Sequence, residues 1–180
     1  MTQVRKSENR GCFDEASGPV PRVVPDEPFP PYAFVPGRFP HPTADPAGHS
    51  YGVEPPVPDE VEPAQWRECR LYLHSIDLFN AGFYWESHVA WESLWIACGR
   101  KGMVADFLKG LIHLAAAGVK ALEGKPEGVK SHSDRAAELF RRVLGTTDHL
   151  MGFPKLLAVA EEIHEKGWPS LPPLLVPTSP

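Results

Sequence analysis

A histidine and a glutamate lie one helical turn apart in an unusually aromatic stretch of the chain. The stretch is FNAGFYWESHVAWESLW, residues 79–95, and the pair is His88 and Glu92. Residues four apart on a helix face each other, so the imidazole and the carboxylate can interact. Such a pair supplies two ligands for zinc, iron or manganese, or a carboxylate that orients an imidazole for proton transfer. It also occurs as a buried contact with a purely structural role.

The rings around this pair predict either a ligand pocket or a packed helix face. A helix over residues 83–97 places His88 and Glu92 in the middle of a broad aromatic face. Large rings exclude water and make an unpaired charge costly, so each member of the pair is expected to have a partner. The expected ligand-binding residues are Tyr84, Trp85, His88, Trp91, Glu92, Trp95 and, from the next helix, His113.

Further histidines are candidates to complete a metal site. His113 lies on the narrow polar stripe of an otherwise apolar helix, beside small residues that permit close helix packing. His41 and His49 lie in PHPTADPAGHSYG, and their spacing alone does not form a metal motif. The candidate metal ligands are therefore His88, Glu92, His113, His41 and His49. Glu86 is expected to be structural, because a carboxylate in the first helical turn accepts from free backbone N–H groups.

Proline content divides the chain into three parts. Thirteen of the 21 prolines precede residue 60, and five lie in the last twelve residues. Proline disrupts helix interiors, so the helices are expected in between. We predict a Pro-rich arm over residues 1–57, a helical bundle domain over 58–168 and a Pro-rich tail over 169–180. Within the arm, residues 1–27 are expected to be flexible, and the aromatic-rich residues 28–57 are expected to dock on the bundle.

The apolar periodicity predicts an all-α fold, a single bundle of about five mostly antiparallel helices. No stretch has the alternation of a half-buried strand. Asn80 and Gly82 are expected to form the turn that ends the first helix, because glycine is the usual residue at a left-handed cap. The expected helices run from near Pro63 to Phe79, then over residues 83–97, 103–123, 129–144 and 154–166.

Composition disfavours several classes of partner. The net charge is -5, the pI is about 5.9, and the basic residues are scattered, so no nucleic-acid-binding patch is expected. The longest uncharged run in the helical part is too short to cross a membrane. The three cysteines form no paired motif, and the first twenty residues contain no apolar leader. These features predict a cytoplasmic protein that binds neither nucleic acid nor membrane.

The two motifs FNAGFYWESHVAWESLW and FLKGLIHLAAAGVKALEGKPEG resemble the signature of a small bacterial and archaeal helical family, domain of unknown function 309. The resemblance covers about residues 66–145, implies an all-α bundle and brings no established activity. The chain departs from the pattern at Val89, where the family often has an acidic residue, so a mechanism needing a third carboxylate there is not supported. The signature positions are Phe79, Asn80, Gly82, Tyr84, Trp85, Glu86, His88, Trp91, Glu92, Trp95, Phe107, Gly110 and Leu111.

Three functions are compatible with the sequence. The first is binding of a small molecule or metal in a pocket around His88 and Glu92. The second is a structural or protein-interaction module, such as a homodimer, in which the same pair is a buried polar network. The third is a metal-dependent or His/Glu-dependent hydrolase. The sequence names no ligand and no reaction.

Overall fold

A computed structural model describes residues 21–55, 58, 63–144, 155–169 and 175, and all regular secondary structure among these residues is helical, with no strand. The helices pack against one another as a bundle, so the predicted fold class is confirmed. The elements are a short 3₁₀ segment (Pro63–Glu68), α1 (Arg70–Asn80), α2 (Tyr84–Ala97), α3 (Met103–Leu122), α4 (Pro126–Val143) and α5 (Leu156–Lys166).

Two helix starts differ from the sequence expectation. The predicted first helix is divided, because Cys69 has an extended backbone (ψ 91°) between the 3₁₀ segment and α1. Helix α4 begins three residues earlier than predicted, with Pro126 in its first turn. Proline is tolerated there because its missing N–H would have no partner inside the helix. The predicted start of the fifth helix at residue 154 and most of the tail lie outside the described residues.

The turn between α1 and α2 fixes the angle at which these helices meet. Gly82 has a φ of 81°, in the left-handed region that favours glycine. The N–H of Phe83 donates to the carbonyl of Leu78 over 2.8 Å, closing the end of α1. We call this junction of α1 and α2, residues 77–86, the α1–α2 corner.

Helix α3 is the centre of the bundle and packs against both α2 and α4. Two of its glycines lie against aromatic rings. A Cβ at Gly110 would be 2.4 Å from the Phe140 ring, and one at Gly118 would be 2.6 Å from the Tyr84 ring. These positions let rings from neighbouring helices reach the α3 backbone. No helix in the described ranges is long and apolar enough to cross a membrane.

We predict that Gly110→Ala destabilises the protein by about 1–2 kcal/mol, because overpacking against Phe140 outweighs the helix propensity that alanine adds. Urea denaturation measures the difference. Gly128→Ala is the matched control, since its Cβ would meet only the flexible side chain of Lys120, and we expect it to be neutral or stabilising. Equal free energies of unfolding of the two variants would show that α3 and α4 are not as close at position 110 as the Phe140 contact implies.

Candidate functional site

His88 and Glu92 face each other on α2, but the aromatic rings do not bury them. Their Nε2 and Oε2 atoms are 3.9 Å apart, and the side chains are 31% and 46% exposed. Trp91 and Tyr84, expected on the same face, point into the core instead. Burial lowers the pKa of His88, and the charge of Glu92 opposes this shift. The structure therefore shows this pair as partly exposed and not as fully buried.

His113 pairs with a residue that the sequence analysis did not single out. Its Nδ1 lies 3.2 Å from Nδ1 of His132 on α4, and the ring centroids are 5.5 Å apart. One Nδ1 must carry a proton and the other must accept it. Burial lowers the pKa of His113 to about 4, and the basic neighbours His132, Lys109 and Arg135 add to the effect.

The candidate metal ligands separate into different parts of the fold. Within the described part of the chain, no three His, Cys, Asp or Glu side chains are grouped so that they could hold a metal ion. His41 is exposed, and its ring lies edge-on to Trp85 with centroids 5.4 Å apart. His49 contacts Glu86, and His113 contacts His132. The structure therefore brings together pairs, not the zinc, iron or manganese set proposed from the sequence.

Glu86 is the buried carboxylate of α2. Its Oε1 accepts from the backbone N–H of Phe34 over 2.9 Å and lies 3.1 Å from Nε2 of His49. The side chains of Glu86 and His49 are each 5% exposed. Burial raises the pKa of Glu86, while the hydrogen bonds from Phe34 and His49 act in the opposite direction. Glu86 lies in the first turn of α2, and Phe34 and His49 bring it two further donors from the N-terminal segment.

The N-terminal segment holds His49 from several directions. The backbone N–H of His49 donates to the hydroxyl of Tyr32 over 3.2 Å, and that hydroxyl donates to the carbonyl of Pro40. Nδ1 of the ring lies 2.8 Å from Oγ of Ser50. When Nε2 donates to Glu86, Nδ1 is left to accept from Ser50, so both ring nitrogens have partners. His49 is thus oriented as a donor to Glu86.

Asp77 is a second buried carboxylate that receives the N-terminal segment. Its Oδ1 accepts from the N–H of Val23 over 2.7 Å, and its Oδ2 accepts from the N–H of Val24 over 2.8 Å. The guanidinium of Arg22 lies 3.7 Å away. Asp77 was not among the candidate residues predicted from the sequence. The sequence feature that indicates its role is the position of this acidic residue between Ile76 and Leu78, in an apolar part of the helix.

Asn80 binds the C-terminal segment in the same manner. Its amide nitrogen donates to the carbonyl of Leu175 over 2.8 Å, and its amide oxygen accepts from the N–H of Leu175 over 2.7 Å. One side chain therefore satisfies both main-chain groups of one residue, as a neighbouring strand does in a hydrogen-bonded pair. Leu175 is buried in the core.

The residues that carry these contacts match a known family model. Residues 72–132 match the family described as Domain of unknown function (DUF309). Over this range the chain is similar to DUF309, and we call residues 72–132 the DUF309 domain. This confirms the resemblance found in the sequence, whereas no curated protein matches the chain. The matched range of the DUF309 domain includes Asp77, Asn80 and Glu86, but the segments that these side chains bind lie outside it.

We predict that the two carboxylates of α2 in the DUF309 domain differ sharply in their contribution to stability. Glu86→Ala should destabilise the protein by about 2–4 kcal/mol, because it leaves the buried donors of Phe34 and His49 without their acceptor. Glu92→Ala should change stability by at most about 0.5 kcal/mol, since Glu92 is half-exposed. Urea denaturation at pH 7 compares them, and a larger effect of Glu92→Ala would contradict the assignment.

We also predict a pH dependence from His113. Its pKa falls from 6.5 to about 4 on folding, so the folded state favours the neutral ring. This contribution to stability is complete above pH 6.5 and is lost as the pH falls toward 4. His113→Gln should therefore lose less stability than the wild type between pH 7 and 4.5 in urea titrations. His164→Gln, at a partly exposed histidine of α5, is the control and should follow the wild type.

Proposed function

We propose that the α1–α2 corner of the DUF309 domain is a binding surface for extended polypeptide, and that in this chain it is occupied by the protein's own flanking segments. One observation carries the proposal: Asp77, Asn80 and Glu86 bind main-chain groups of residues outside the matched domain. Of the three functions compatible with the sequence, this is the protein-interaction module. It uses Asp77, Asn80 and Glu86 instead of His88 and Glu92. A pocket at His88 and Glu92 has less support, because that pair is half-exposed.

The chemistry of the corner suits recognition of a polypeptide backbone. Each carboxylate oxygen of Asp77 takes one of two consecutive N–H groups, and Asn80 takes one N–H and one carbonyl. Every residue except proline offers these groups, so the contacts require an extended chain and no particular side chain. A buried acceptor without a donor costs about 1–3 kcal/mol, so the occupied corner is favoured over an empty one.

Aromatic side chains of the bound segment add selectivity. The ring of Phe29 stacks on Phe83 with centroids 5.1 Å apart, and the guanidinium of Arg22 lies 4.0 Å above Phe29. The ring of Phe34, whose N–H reaches Glu86, lies edge-on to Trp85 at 5.4 Å. Ring contacts of this kind each contribute about 0.5–1.5 kcal/mol beyond the area that they bury. The preferred ligand is therefore an extended segment with spaced aromatic residues.

The division of the chain follows from this function. The described residues 22–49 of the predicted arm and Leu175 of the predicted tail would be the ligands, and the helical bundle would receive them. A tethered segment acts at an effective concentration in the millimolar range. A second polypeptide therefore reaches the corner only when the tethered arm is weakened.

Release of the arm in the full-length protein tests the proposal. Val24→Pro and Phe34→Pro together remove two N–H groups that Asp77 and Glu86 accept, without changing the bundle. We predict that this variant binds a fluorescent peptide of residues 21–55 at least about tenfold more tightly than the wild type, because the tethered competitor is weakened. Fluorescence anisotropy measures the binding.

Substitutions in the corner provide the controls. Adding Asp77→Asn and Glu86→Gln to the released variant should weaken peptide binding, because the two buried acceptors lose their charge. Adding Glu92→Gln instead changes a half-exposed carboxylate of the same helix and should leave binding unaltered. Failure of the released variant to bind the peptide, or equal loss with Glu92→Gln, would contradict a polypeptide-binding corner.

A further inference from the structure

We propose that His113 and His132, together with Lys109 and Arg135, form a binding site for a phosphate group on the face shared by α3 and α4. The site uses other residues than the α1–α2 corner, and among the described residues no hydrogen bond joins its side chains to the arm or the tail. The proposal stands on the contact between His113 and His132, which joins α3 to α4, and on the helical spacing that places Lys109 and Arg135 about one turn from these imidazoles.

The positions of the four residues follow from helix geometry. Lys109 and His113 are one turn apart on α3, so their side chains lie on one face. His132 and Arg135 are three apart on α4 and are also neighbours on its surface. The 3.2 Å contact between the Nδ1 atoms of His113 and His132 joins the two faces. Both imidazoles are partly exposed, so a ligand in solution can reach them.

The electrostatic surroundings are basic. Burial is the main cause of the lowered pKa of His113, and the basic groups His132, Lys109, Arg135 and His88 lower it further. Burial also lowers the pKa of His132, and the basic groups Lys120, His88 and Arg135 lower it further. The same groups that disfavour protonation of the imidazoles in the free protein would be stabilised by an anion.

Acidic residues also lie close to this face, among them Asp106 on α3 and Asp134 and Glu138 on α4. Glu123 is paired with Lys120 at 2.5 Å, and Glu92 of α2 lies beside His88 at 3.9 Å. The ammonium of Lys109 lies 4.2 Å from the centre of the Trp95 ring, in a cation–π contact. A cation–π contact leaves N–H donors of an ammonium free for an acceptor. Lys109 is therefore available to bind an oxyanion.

A phosphate group fits this set better than a metal cation. Lysine supplies a point charge, arginine supplies a fork of N–H donors, and a protonated imidazole adds a third kind of donor. Lys109 and Arg135 would repel a cation held between the two Nδ1 atoms. A phosphate monoester or free phosphate carries the same anionic oxygens, and inorganic phosphate is the simplest probe of both.

The test is an NMR titration of the histidine ring protons in the full-length protein. At constant ionic strength, inorganic phosphate should raise the titration midpoint of His113, from about 4, by about one pH unit or more. Chloride at the same ionic strength should not. No change with saturating phosphate would overturn the proposal, and so would perturbation of both rings by zinc ions but not by phosphate.

Variants of the flanking cations keep the test independent of folding. Lys109→Gln and Arg135→Gln should each weaken phosphate binding by about tenfold, the loss expected for one charge-assisted hydrogen bond. Lys101→Gln removes an exposed lysine in the loop before α3 and serves as the matched control, with binding unchanged. Equal weakening by Lys101→Gln would mean that only the overall charge matters, which would overturn a site at His113 and His132.

Discussion

The carboxylate of Glu86 is buried in α2, and the hydrogen bonds that satisfy its Oε1 come from Phe34 and His49, more than thirty residues earlier in the chain. A buried carboxylate without donors is strongly destabilising. The N-terminal segment must therefore lie against α2, and its path places the rings of Phe34 and His41 against Trp85. The side of α2 that carries Glu86, Ala90 and Ser93 is buried as a consequence.

Other polar side chains of the α1–α2 corner bind distant segments in the same way as Glu86. Asp77 and Asn80 also take main-chain groups from distant segments. Gly82 gives the turn that sets α1 beside α2, so the three acceptors share one corner. Two of the signature positions, Asn80 and Glu86, bind main-chain groups of the flanking segments. The proposed polypeptide-binding function accounts for the polar side chains at these positions. The proposed phosphate site lies on other residues.

Local signals predicted the fold well, while the partners in the site depended on tertiary contacts. Periodicity and the glycine turn predicted α2 and α3 to within a residue. The partner of Glu86 was not predictable, because a proline-rich segment has no periodicity that indicates where it docks. His132 lies in the polar stretch KSHSDR and gave no signal, since its contact with His113 depends on how α3 and α4 align. His88 and Glu92 were overvalued because spacing alone shows which side chains meet, not whether they are buried.

Hydrogen exchange at single amides measures directly whether side chains of the α1–α2 corner hold the flanking segments. The amides of Val24, Phe34 and Leu175 belong to no helix, and each donates to a buried side-chain acceptor. If the α1–α2 corner holds these segments, the three amides should be protected at neutral pH to a degree comparable with amides in the middle of α1. Exchange at the rate of an unstructured peptide, with α1 still protected, would contradict the account.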